Sequence, residues 1–383
     1  MFDWDRFELE NLNRKNDLII FEFIELLYPH FSKAYFKDNR IKKKIKSVSE
    51  IDIFKKKIDS LIKKYSISNI LIMNFMKNDS LNSIEINKFI QSQKLNSLSF
   101  FNPGISTFDM RISNFNSSFT EKLRHILNRK NETIQKIKGK FYNFLVNFYG
   151  LKSNYLLVSG NKVKKKIYNY CKKRNIKIIN GSSWDYSKIL NKSKSTILNQ
   201  NNYALYLDAP GPKFLSDSHI YKEKLNETVK HTYPSLNNFF SFIEKKLNLK
   251  IIVAPHPKTK IKNRSSLFNY RTVISGRTLE LIKKSKFIIT RNSTAVTFAA
   301  YFNKPIILFY TNETYNTEAY QTSLYLSKSL GVKLININDY KNINLKKLLK
   351  FKRNIFEKYL NNYCNSKKVR WPNYKLIQSL IKE

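Results

Sequence analysis

Two apolar patterns alternate through the second half of the chain. Short β-branched or aromatic runs stand at Tyr203 to Asp208, Ile251 to Val253, Phe287 to Thr290 and Ile306 to Tyr310. Between them, apolar residues return every three or four positions, as in Leu236 to Leu247, Leu279 to Lys284 and Ala295 to Phe302. Runs of the first kind predict strands, and spacing of the second kind predicts amphipathic helices. Their alternation predicts parallel βα units. The run Ile251-Ile252-Val253 has the continuous apolar character of a strand covered on both faces of such a sheet.

The first half carries the same signals more weakly. Ile19 to Phe31 and Ile51 to Tyr65 both show helical spacing. Asn69 to Phe75 and the stretch around Phe100, which ends in a Pro103-Gly104 turn, read as strands. Phe119 to Phe148 reads as a long helix broken near Asn131. Tyr155 to Val158, Lys162 to Lys173 and Ile176 to Ile179 then form a clean strand-helix-strand unit.

A polar, turn-rich segment at 180–202 separates the two series and marks a domain boundary. Residues 1–190 are expected to form a Rossmann-like domain with a helical N-terminal segment, and residues 191–340 a second one. In residues 341–383 the apolar positions 345, 348, 349, 355, 356, 359 and 360 make a helical stripe with a basic opposite face. It suits either a closing helix that packs back on the domains or a helix lying on a membrane surface.

The turns that end the strands hold the candidate chemistry. His256 lies between Pro255 and Pro257, which keep its loop extended and present the imidazole at the mouth of the sheet crevice. Lys258 follows it. After the next strand come Arg291, Asn292, Ser293 and Thr294. Ser293 or Thr294 is a natural N-cap for the following helix, whose free N–H groups favour a phosphate, and Arg291 adds a planar charged fork. Gly276, Arg277 and Thr278, at the start of another helix, are expected on the same sheet edge in contact with a nucleotide.

Composition changes this picture little. Lysine and arginine total 70 against 28 acidic residues in 383, a formal charge of +42. Such a charge suits nucleic acid or an anionic membrane. The excess is dispersed among apolar positions, however, and accompanies abundant Asn and Ile, so most of it reads as solvated surface. No nucleic-acid-binding module is recognisable. The two cysteines, Cys171 and Cys364, support neither a disulfide framework nor a zinc site. The acidic N-terminus does not suit a secretion signal, and charges interrupt Leu18 to Phe36 as a membrane span. A cytoplasmic enzyme, peripheral on the inner face of the plasma membrane, is expected.

The segments YLDAPGP, TYPSLNNFFSFIEKKL, APHPK and SGRTLELIKKSKFIITRNSTAVTFAAYFNKPIILF together resemble GT-B glycosyltransferases of bacterial capsule and lipopolysaccharide synthesis. That broad group includes sialyl-, polysialyl- and Kdo-transferases with a His-Pro motif. The resemblance implies an α/β fold with two Rossmann-like domains facing across a cleft and extra helices at both termini. It also implies that His256 contacts the donor phosphate and that Ser293 and Thr294 complete the phosphate site.

Glycosyl transfer needs a base for the acceptor hydroxyl and groups that stabilise the departing phosphate. Asp208, at the end of a strand, is the first choice for the base, Asp185 the second and Asp217 the third. No acidic pair followed by glycine precedes His256, which separates the chain from the sialyltransferase pattern. The one Asp-x-Asp match, Asp3-Trp4-Asp5, follows no strand, so no metal is expected and the nucleotide-sugar is a co-substrate. The donor is expected to be a CMP-linked acidic sugar and the acceptor a glycan or lipid-linked glycan. The alternatives are a polyol-phosphate transferase of surface-polymer synthesis and, further off, a basic nucleic-acid-binding protein.

Overall fold

A computed structural model describes residues 4, 6–29, 44–101, 130–192, 202–209, 227–256, 264–365 and 369–382. Two parallel sheets organise the chain. The first has strands β3 (Leu71–Asn74), β4 (Asn96–Phe101), β5 (Tyr155–Ser159) and β6 (Lys177–Gly181) in that spatial order, after a small parallel pair β1 (Ile20–Glu22) and β2 (Ile45–Ser47). The second is five-stranded, in the order β11-β10-β9-β7-β8, from β7 (Tyr203–Leu207), β8 (Lys250–Ala254), β9 (Ile288–Thr290), β10 (Ile306–Tyr310) and β11 (Leu334–Asn336).

The helices of the first half are α1 (Leu9–Asn13), α2 (Ile24–Leu27), α3 (Ile51–Tyr65), α4 (Leu81–Ser92), α5 (Lys130–Phe148), α6 (Asn161–Lys173) and α7 (Trp184–Lys192). The second half adds α8 (Val229–Leu247), α9 (Arg264–Leu267), α10 (Thr278–Lys284), α11 (Val296–Tyr301) and α12 (Glu318–Leu330). The chain closes with α13 (Leu345–Leu348), α14 (Arg353–Tyr359), a π-turn at Leu360–Cys364 and α15 (Asn373–Lys382). The architecture is α/β with two Rossmann-like units, each built on a parallel sheet.

Two differences from the sequence reading, and the place of one strand, have physical causes. The helical spacing that starts at Ile19 gives, within the described residues, β1 and the single turn α2, because Ile20–Glu22 finds Ile45–Ser47 as a partner strand. Phe21 and Phe23 then meet Phe54 edge-on, and tertiary contact outweighs the local period. β8 lies at the end of its sheet order, not inside it. Its outer side is shielded where Val253 N–H bonds the Thr272 carbonyl and Ile274 N–H bonds that of Val253, which covers an edge otherwise open to association. Finally, α8 begins at Val229, about two turns earlier than its apolar stripe suggests, because Thr232 and Tyr233 are buried in that extension, with Tyr233 edge-on to Phe268, and it carries Pro234 inside it.

The C-terminal stripe packs inward. Leu345 joins the core between α8 and the second sheet, while Phe356, Tyr359 and Leu360 join the core on the other face of that sheet. Ile377 and Leu380 of α15 pack with Leu98, Leu157 and Trp184 on the first sheet. A buried polar network fastens this closure. Asn373 accepts at its Oδ1 from Ser182 N–H (3.0 Å) and donates to the Ser182 carbonyl (2.8 Å), and its own N–H reaches Ser187 Oγ at 2.7 Å. Ser187 Oγ in turn donates to Glu8 at 2.8 Å, joining α1, α7 and α15.

The π-turn runs between the two sheet systems. Ser159, the last residue of β5, donates its hydroxyl to the Tyr363 carbonyl at 3.0 Å. Cys364 Sγ lies 3.5 Å from Thr297 Oγ1 in α11, and its carbonyl accepts from Ser183 N–H at 2.7 Å. The C-terminal end of β5 and the first turn of α11 therefore meet on one strip of chain.

Candidate functional site

In the second sheet the chain leaves β7 for β8 on one side and returns to β9 on the other, so its topological switch point lies between β7 and β9. Open α/β sheets bind ligands in the crevice outside the C-terminal ends of the strands at that point. Leu207 is in register with Ala254 of β8 and Thr290 of β9, so Asp208, Pro255 and Arg291 leave the sheet side by side. Thr290 Oγ1 donates to the Leu207 carbonyl at 3.0 Å and Asp208 N–H to the Ala254 carbonyl at 2.9 Å, which fixes this edge.

Asp208 is the centre of the group. Its carboxylate accepts from the Tyr206 hydroxyl at 3.1 Å and from the backbone N–H groups of His256 and Ala209. Burial pushes its pKa up to about 6; the charge of Arg291 and these donors oppose the shift without cancelling it. Tyr206, fully enclosed beneath it, is held protonated well above the ordinary phenol range, first by burial and then by the negative charge of Asp208. A carboxyl that titrates near neutrality at a ligand crevice suits proton transfer.

Arg291 is brought to the same place, but inward. Its guanidinium pairs with Glu227, both side chains being a tenth exposed or less. Neither residue type is often buried so deeply, and a pair of this kind persists because each charge neutralises the other. Glu227 is absent from the sequence reading. Its segment, NETVKH, carries no periodic or turn signal that would place it beneath a strand end 64 residues further along the chain.

The residues after Arg291 form a turn of successive backbone bonds, Val296 N–H to the Ser293 carbonyl and Thr297 N–H to that of Thr294. Ser293 Oγ accepts from Ala295 N–H at 3.3 Å. The N-cap of α11 is Ala295, with no side-chain cap, so Ser293 and Thr294 stand a residue or two ahead of the expected capping position. Both are half-buried, as are Asn292 and His256. Pro257, Lys258 and Asp217 lie outside the described residues.

Two other groups of expected residues belong to other elements. Gly276, Arg277 and Thr278 follow the segment that shields β8, with Gly276 at φ +78°. Arg277 is exposed and clamped by Glu280, at 2.6 Å and 2.9 Å, and Lys284 adds a third contact at 3.1 Å. This clamp holds the Glu280 carboxyl down at about 2. Asp185, in the first turn of α7, lies beside the π-turn, where its charge acts on Tyr359 and Cys364. Burial pushes the Cys364 thiol up to about 11, so it stays protonated and unreactive.

No family model matches the chain, and no curated protein matches it. Solved structures give distant likenesses of fold. UDP-GlcNAc 2-epimerase from Methanocaldococcus jannaschii is 14% identical over 97% of this chain and 94% of that one, with a TM-score of 0.49. The wall teichoic acid polymerase TagF, determined after a soak with CDPG, is 14% identical over 99% and 93%, with a TM-score of 0.47. Arabidopsis thaliana UGT89C1, complexed with quercetin, is 10% identical over 99% and 89%, with a TM-score of 0.38. The functional reading below rests on the site.

Proposed function

We propose that this chain is a glycosyltransferase that moves a sugar from a nucleotide-activated donor, a CMP-linked acidic sugar, to a surface glycan or lipid-linked glycan in capsule or lipopolysaccharide synthesis. One observation carries the reading: Asp208 stands at the switch point, half-buried, bonded to the His256 backbone and poised near neutrality. In this mechanism the ionised Asp208 takes the proton of the acceptor hydroxyl as its oxygen bonds the anomeric carbon. The bond from that carbon to the donor phosphate breaks, and its electron pair leaves with the nucleotide. His256 and the Ser293-Thr294 turn donate to the departing phosphate, so protein groups neutralise it without a metal. Arg291 and Glu227 hold the floor of the site and set the field in which Asp208 titrates.

Titration of the purified protein with CMP-, UDP-, GDP- and CDP-linked sugars, with a CDP-linked polyol included, tests the donor class. Binding of the polyol donor alone would transfer the assignment to polyol-phosphate transfer. His256→Ala should lower turnover by roughly two to three orders of magnitude, by analogy with removing one preorganised donor to a developing charge. Its melting temperature should stay within a degree or two of the parent's, because a half-buried loop side chain packs little. Full activity in that variant would leave the His-Pro turn a structural feature and remove the phosphate site.

A further inference from the structure

Helix α5 presents an apolar face to solvent. Ile137, Phe141, Phe144 and Phe148 recur at helical spacing and are 62%, 51%, 60% and 70% exposed. The helix meets the body of the protein through Tyr142, Leu145 and Val146, which are half-buried on another face, and through its contact with α4. Phe144 and Phe148 stack on each other with ring centres 6.0 Å apart, making a continuous aromatic strip on the outside of the molecule. Isolated exposed apolar side chains are ordinary, whereas four aligned on one stripe mark a contact surface.

The surroundings of the stripe are basic and aromatic. Helices α4, α5 and α6 join consecutive strands of the first sheet and cover the same face, since side chains of all three line one cavity against Ser97, Ser99 and Leu156. α5 carries four lysines and one glutamate, and α6 six lysines and no acid. Tyr168 and Tyr170 of α6 are half exposed, and the Arg174 guanidinium lies 4.8 Å from the Tyr170 ring centre. At the other end Lys88 Nζ sits 4.0 Å over Tyr149. Among the described residues no helix is long and apolar enough to cross a membrane.

We infer that α5 is the element through which this protein lies on an anionic lipid bilayer, its phenylalanines entering the acyl boundary and the lysines of α5 and α6 meeting the headgroups. An aromatic-apolar stripe flanked by lysine is the composition of helices that lie in the interface plane, and long basic side chains reach back to the headgroup layer. Charge selects this occupant. A second copy would bring a like-charged surface against the first, and a nucleic acid would engage the lysines while leaving Ile137 and the phenylalanines wet. The C-terminal stripe, the other candidate for such a contact, is consumed in the cores. This inference does not depend on the catalytic reading, since vesicle binding needs neither donor nor acceptor.

The test uses the full chain and vesicles of phosphatidylcholine with and without phosphatidylglycerol. The parent should float with the anionic vesicles and weaken as salt rises. Phe141→Ser combined with Phe144→Ser and Phe148→Ser should lower that binding by about tenfold or more, with an unchanged circular dichroism spectrum. In a separate variant, Phe144→Trp, brominated lipids should quench the added emission, a readout that survives if the triple variant misfolds. Equal flotation of parent and triple variant, or no quenching of Phe144→Trp, would overturn the assignment. So would a parent that sediments as a dimer and a triple variant that sediments as a monomer, because the stripe would then be covered by a second copy.

Discussion

Arg291, the charged residue that ends β9, is committed to Glu227 and buried with it beneath the crevice. The sequence presents Arg291 as a fork aimed at a phosphate. Its paired state gives it a second part: it neutralises one carboxylate and holds down the pKa of another, that of Asp208.

Removing either member of this pair strands the other. Arg291→Ala and Glu227→Ala should each destabilise the fold by about 3–5 kcal/mol, and the double variant should recover part of the loss. Denaturant midpoints of the four proteins measure it. Near-zero coupling between the two sites would mean that the pair contributes no net interaction.

Asp208 gives the site a pH dependence of definite sign. Its folded pKa of about 6 lies above the ordinary 3.8, so the native state binds the proton more tightly than the unfolded chain. Its contribution to stability is greatest below about 3.8 and is lost as the pH rises to about 6, a decline of up to about 3 kcal/mol. Asp208→Asn should flatten that part of the stability profile. Transfer should follow the opposite course, rising through about pH 6 as the base ionises, and the Asn variant should bind donor and fail to transfer.

A second titration belongs to the closure of the molecule. Burial pushes Glu8 up to about 7, against the Ser187 hydroxyl, the Tyr374 N–H and the charge of Lys188. The proton favours the folded state between about pH 4.5 and about 7, and stability should fall across that window by about 3 kcal/mol as the pH rises. Glu8→Gln should remove this slope and leave that of Asp208, which lies lower. Hydrogen-exchange protection of α15, measured against the intrinsic base-catalysed rate, should fall with pH in the parent and not in the variant.

Gly160 should tolerate no side chain. It turns the chain from β5 into α6 at φ +79°, and an added Cβ would overlap the Asn362 carbonyl and come within 2.6 Å of Tyr363 Cα. Gly160→Ala should therefore cost about 1–3 kcal/mol in strain, and more if the π-turn is displaced. Gly139→Ala, at an open helical position, should instead be neutral or stabilising by up to about 1 kcal/mol. Thermal denaturation of the two variants side by side decides the matter.

The fold class was legible because β-branched runs and helical spacings alternate cleanly wherever both faces of a sheet are covered. β5, α6 and β6 fall within one or two residues of the positions their pattern predicts. The pattern fails where a segment answers to a distant partner. Ile20–Glu22 is extended because of residues 45–47.

Of the candidate site, the strand ends were legible and the pairings were not. Asp208, His256 and Arg291 each follow a recognisable strand, so their meeting at one sheet edge follows from topology. Nothing local marks Glu227 as the partner of Arg291, or Glu8 as a buried acid held by Ser187 and Tyr374. Such partners are joined only when the chain is closed. Arg277 shows the reverse case: its short-range partner Glu280, three residues on, engages it before any ligand arrives.

The π-turn at Leu360–Cys364 also limits how the crevice can change shape. Ser159 grips it from the first sheet, Thr297 from the second, and Ser183 from the connection between them. Parting the two halves as rigid blocks would tear all three grips at once. A rotation with its axis along this strip would leave them intact, so any opening of the two halves is expected to be a hinge motion about it.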